Sequence, residues 1–79
     1  MQTKFKRHQP VILLQNPDPE YIEYNDEYEA AHVPIKMGMK GKINIILPNG
    51  RYHVRIEDDN GNVIAYVPMD EESLQALDK

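Results

Sequence analysis

Between residues 41 and 69, apolar side chains recur at every second position on either side of two Asn-Gly pairs. Lys42-Ile43-Asn44-Ile45-Ile46-Leu47 leads into Asn49-Gly50, Tyr52-His53-Val54-Arg55-Ile56 follows, and Asn60-Gly61 leads into Val63-Ile64-Ala65-Tyr66-Val67. A period of two marks a strand with one buried face, and Asn-Gly between two such runs marks a tight hairpin turn. The pattern predicts a three-stranded antiparallel meander and a mainly β fold.

A two-residue Asn49-Gly50 loop pairs Leu47 with Tyr52, Ile45 with Val54 and Ile43 with Ile56, so all six face the core. The second hairpin has two registers. A two-residue loop sets Ile56 against Ala65 and Val54 against Val67. A three-residue loop with Gly61 as a left-handed bulge sets Ile56 against Ile64 and Val54 against Tyr66. Asp58-Asp59-Asn60-Gly61 suits a type I turn followed by that bulge, which favours the second register. The choice decides whether Tyr66 is core or surface.

Upstream, Pro10–Gln15 reads as a first strand, ended by Asn16-Pro17-Asp18-Pro19, whose prolines remove ladder donors. Residues 20–33 are acidic and carry Tyr21, Tyr24 and Tyr28 at helical spacing, with Asp18-Pro19 suited to a helix start. The weak helix formers crowded into those turns favour an ordered loop instead. Gly38 and Gly41 bracket a basic approach to the second strand. At the other end, Asp70-Glu71-Glu72 is a helix-start signature with Met69 placed to staple onto Leu74. One or two helical turns, or a short turn leading into a final strand over 73–77, both fit.

Length and charge narrow the function. Seventy-nine residues make one domain with a modest core, and we expect a basic arm over 1–9 followed by a single domain over 10–79. Cysteine is absent, which excludes disulfides and thiolate chemistry. The apolar run Val11–Leu14 is far too short for a membrane span or a signal-peptide core, so a cytoplasmic protein without membrane contact is expected. Charge falls in blocks: +3 over 1–10, −6 over 16–32, +5 over 33–56 and −6 over 57–79, for a net −4.

No constellation supports catalysis. Glu29-x-x-His32 has ligand spacing but no second copy. Asp58-Asp59-Asn60-Gly61 resembles a calcium loop, yet its glycine is misplaced and Met69 stands where the closing glutamate belongs, so a hairpin turn is the better reading. Ser73 is the lone serine and has no neighbouring histidine in sequence. Gly38-Met39-Lys40-Gly41 lacks phosphate-loop spacing. We expect no enzymatic activity, no metal and no cofactor.

The order of strand, long excursion, three-stranded meander and short helical turn resembles an SH3-like small barrel. Ile35-Lys36-Met37-Gly38-Met39-Lys40-Gly41-Lys42-Ile43 looks like the opening of KOW-type and related modules. The resemblance implies a partly open barrel of about five strands with a long acidic loop after the first. It also implies binding of nucleic acid or proteins, or service as a docking subunit, although the acidic balance departs from nucleic-acid-binding members.

The candidate contact residues are therefore surface ones. Lys42, Arg51, His53 and Arg55 form a basic strip on the first hairpin, and Tyr21, Tyr24 and Tyr28 project from the excursion. The strip can neutralise the chain's own acids, dock a protein partner, or meet phosphates together with Lys36, Lys40 and the amino-terminal arm. Our reading is a protein-docking accessory or regulatory subunit. An RNA- or DNA-binding module is the alternative, and an unpaired sheet edge offers a route to a homodimer.

Overall fold

The computed structural model describes residues 4–25 and 34–77. The chain is mainly β, and its described residues form six strands in one antiparallel sheet: β1 (Pro10–Leu13), β2 (Glu23–Tyr24), β3 (Lys40–Leu47), β4 (Arg51–Glu57), β5 (Val63–Asp70) and β6 (Leu74–Ala76). Their order is β2-β5-β4-β3-β1-β6, so β2 and β6 are the edges and the sheet is not closed on itself. The expectation of about five strands is corrected by β2, a two-residue strand inside the acidic excursion that pairs with Ala65 and Tyr66.

The excursion is closed at its neck by backbone bonds from Leu13 N–H to the Met39 carbonyl and from Gly38 N–H to the Leu13 carbonyl. Gly38 has φ +92°, a conformation that costs glycine little. Within the excursion, Asp18 caps a single 3-10 turn over Pro19–Tyr21 and its carboxylate accepts the Glu20 N–H at 3.0 Å. No longer helix forms over 19–25, because the chain turns extended at Ile22 to reach β5.

The first hairpin departs from its expected register by two residues. Asn49 and Gly50 both adopt positive φ, 64° and 72°, a region that Asn and Gly enter more readily than other residues. However, Pro48 has no N–H to offer the pair that would flank a two-residue loop. Leu47 therefore faces Arg51, and Ile46 faces Tyr52. A second extra residue, Asn44, bulges between the pairs Ile43–Val54 and Ile45–His53. Two one-residue shifts restore the original parity, so Ile43 stays fully buried while Ile45 turns to the outer face at 48% exposure. The expected inward placement of Ile45 and Leu47 is thereby overturned.

The second hairpin contains both registers. Gly61 N–H bonds the Asp58 carbonyl, Asp58 N–H bonds the Asn62 carbonyl, and Gly61 has φ +87°, the favoured turn. Glu57 faces Val63 accordingly. Ile64 then bulges out of the ladder, and Ile56 meets Ala65 while Val54 meets Val67. Both Ile64 and Ala65 are buried, so the bulge seats two apolar residues where strict alternation seats one. Tyr66 consequently lies opposite Arg55 on the outer face.

Residues 71–73 form a 3-10 turn and the chain ends its described part in strand β6 beside β1. The Ser73 hydroxyl donates to Gln15 Oε1 at 3.1 Å, which gives the lone serine a structural partner.

The amino-terminal residues 4–9 belong to the packed unit rather than to a free arm. Phe5 is 1% exposed, and its ring meets Tyr52 edge-on at 5.3 Å. His8 N–H bonds the Ile43 carbonyl, and Ile43 N–H bonds that of Gln9. The Tyr52 hydroxyl accepts the Lys4 and Phe5 N–H groups and donates to Glu71 Oε2 at 2.6 Å. Lys4 N–H also donates to that carboxylate.

This network sets a pH dependence. The Tyr52 hydrogen bond, followed by that from Lys4, holds the Glu71 carboxyl below its ordinary value. Burial, followed by Glu71, pushes the Tyr52 phenol up. Glu71 thus contributes stability that is present above its unfolded pKa and lost as pH falls through the lower folded one. Tyr52 contributes stability present below its unfolded pKa and lost as pH rises through the higher folded one. We expect Tyr52→Phe to cost about 2 kcal/mol at neutral pH and to flatten both flanks of the curve. Urea titrations across pH check this, and parallel wild-type and variant curves would refute it.

Candidate functional site

Alternation along β4 turns Tyr52, Val54 and Ile56 inward and Arg51, His53 and Arg55 outward. Cross-strand register then adds Lys42, Ile45 and Leu47 from β3 and Tyr66, Pro68 and Asp70 from β5 to the same face. Glu23 of β2 joins them opposite Tyr66. The four basic residues singled out in the sequence are therefore brought together on one sheet face.

Each of the four has an acidic neighbour on that face. Arg51 Nε lies 3.0 Å from Asp70 Oδ1, and Arg55 Nε lies 3.0 Å from Glu57 Oε2. Lys42 Nζ reaches the other oxygen of Glu57 at 3.8 Å, and His53 Nε2 stands 3.7 Å from Glu23 Oε1. Glu57 is the most buried of these acids and bridges two cations, while Arg51 and Asp70 are half-exposed and contribute little stability. Among the described residues the charge blocks thus pair within the fold, through Glu57 and Asp70 of the meander and through Glu23 from the excursion.

His53 is the best-fixed member. Its ring stacks on Tyr66 with centroids 5.2 Å apart and an interplanar angle of 12°. The bulged Asn44 places its amide nitrogen 3.0 Å from His53 Nδ1. Donation from Asn44 assigns the ring proton to Nε2, the nitrogen nearest Glu23. The β3 bulge therefore has a local consequence, since its extra residue sets an amide at the edge of the His53 imidazole beside the Ile45–His53 pair.

The three tyrosines separate. Tyr21 is 58% exposed on the 3-10 turn and, with Glu20, Glu23, His53 and Pro68, borders a cleft of about 210 Å³. Tyr24 faces the opposite way, pairing with Ala65 and packing half-buried against the core. Tyr28 lies outside the described residues, as do Glu29 and His32.

Sequence reasoning missed Ile45, Tyr66, Pro68 and Glu23 as members of this face. Pro48 was the available signal for Ile45, because its missing donor forbids the two-residue pairing. A larger cleft of about 560 Å³ lies at the far end of the sheet, where Met39 and Ile64 are flanked by Lys40, Lys42 and Glu57. Among the described residues no cluster of three potential metal ligands occurs, and no helix is long and apolar enough to cross a membrane. Comparison with protein-family models, curated proteins and solved structures finds no match.

Proposed function

We propose that the chain is a non-catalytic, SH3-like binding module that docks a protein partner on the outer face of β3, β4 and β5. The meander preceded by a long excursion and followed by a 3-10 turn and a last strand beside β1 supports the SH3-like reading. The observation that carries the docking reading is the composition of the face. Ile45 and Tyr21 are exposed there, beside the His53–Tyr66 stack, while the surrounding cations are matched by carboxylates. A face whose cations are matched by carboxylates and whose aromatic and aliphatic groups are open to solvent favours protein contact over phosphate contact.

Affinity capture with the intact chain tests this, run side by side with Ile45→Glu and with Gln75→Glu on the exposed side of β6. We expect Ile45→Glu to abolish recovery of the partner and Gln75→Glu to preserve it, with little weakening as salt rises. Equal recovery by all three, or steep salt dependence of the kind phosphate contacts produce, overturns the reading.

A further inference from the structure

We infer that the cleft between the 3-10 turn and the outer sheet face receives an arginine side chain from the docking partner. It is lined by Tyr21, His53 and Pro68 together with the carboxylates Glu20 and Glu23. A lining of aromatic and apolar groups with two carboxylates complements a flat cation, since guanidinium stacks on aromatic faces and forks onto carboxylate oxygens. Lysine meets the same carboxylates as a more strongly hydrated point charge and gains less from the rings.

Among the described residues, the cations neighbouring the cleft are engaged by other carboxylates. Arg51 and Arg55, the outward cations on either side of His53 along β4, have their guanidinium groups engaged by Asp70 and Glu57. Glu23 is 75% exposed and, among the described residues, meets the His53 edge through Oε1 at 3.7 Å, so its Oε2 faces an incoming guanidinium. Among the described residues, Glu20 carries no ion pair. The 3-10 turn fixes Glu20 and Tyr21 in place through the Asp18 cap and the Tyr21 N–H bond to the Asp18 carbonyl. Recognition of arginine rests on the docking reading for its biological partner, but the cleft's chemistry is testable without that partner.

The test is a nuclear magnetic resonance titration of the intact, isotope-labelled chain with N-acetyl-arginine amide and, separately, with the citrulline counterpart. Citrulline keeps the shape and removes the charge. We expect saturable shifts at Tyr21, Glu23 and His53 with arginine and none at equal citrulline concentration. Glu20→Gln combined with Glu23→Gln should weaken binding by at least ~fivefold, and Tyr21→Ala by ~threefold. These residues are exposed, and an otherwise unchanged spectrum confirms the fold of each variant. Absent shifts, equal shifts with citrulline, or shifts centred elsewhere overturn the inference. The docking reading has its own readout in Ile45→Glu, so loss of one result leaves the other standing.

Discussion

Gly41→Ala is expected to destabilise the domain by about 3 kcal/mol, a large share of what a chain of this size has. Gly41 is buried in β3, opposite Val11 on one side and Ile56 on the other. A Cβ built there meets the Arg55 carbonyl oxygen at 2.5 Å and Val54 Cγ1 at 3.0 Å. The first of these is backbone, held in the β3–β4 ladder beside the Lys42–Arg55 pair. It cannot rotate aside as a side chain would, so the strands must part. Gly38 provides the contrast: its φ of +92° makes alanine strained, but nothing stands within 4 Å of the added carbon, so Gly38→Ala should cost only about 1 kcal/mol. Urea denaturation checks both, through a lower midpoint at unchanged slope. A Gly41→Ala midpoint equal to that of wild type would mean that the strands can slide apart without cost, against the packing described.

The same glycine shows how much the sequence discloses. Its presence marked a constrained approach to β3, but the constraint is close packing rather than an unusual backbone angle, and only a neighbouring strand reveals that. The turns were legible because Asn49-Gly50 and Asp58–Gly61 carry their own backbone chemistry. The registers were not, because each hairpin contains an added residue: Asn44 and Pro48 in the first, Ile64 in the second. A bulge leaves no periodic trace of its own, and one displaced residue reverses every face beyond it. The excursion was equally opaque, since Glu23–Tyr24 is too short a strand to show alternation.

The candidate face follows from the same logic. Arg51, His53 and Arg55 share a face on strand parity alone, which any register preserves. Their matching by Glu57, Asp70 and Glu23 depends on the cross-strand arrangement, and so does the placing of Ile45 and Tyr66 among them. A strip that reads as basic along the chain is close to neutral across the sheet. What distinguishes it then is the aromatic and aliphatic surface between the paired charges.

Phe5→Ala is expected to be the most damaging single change, at about 4 kcal/mol. In the sequence Phe5 is a lone aromatic among Lys4, Lys6 and Arg7, and a single apolar residue has no period by which to announce burial. In the fold it is among the largest fully buried side chains, its ring edge-on to Tyr52 at 72°. Truncation removes the apolar contacts and the aromatic pair together, and opens a cavity against a tyrosine whose hydroxyl is anchored by Glu71. Because the Lys4 and Phe5 amides bond that same hydroxyl, loosening the ring also loosens the backbone that returns along β3 at His8 and Gln9. Phe5→Leu refills most of the volume and should recover more than half of the loss. Urea midpoints for the three proteins check the order of wild type, leucine and alanine. If residues 4–9 were instead a free arm, all three midpoints would coincide, and the buried aromatic pair would have no part in holding the sheet.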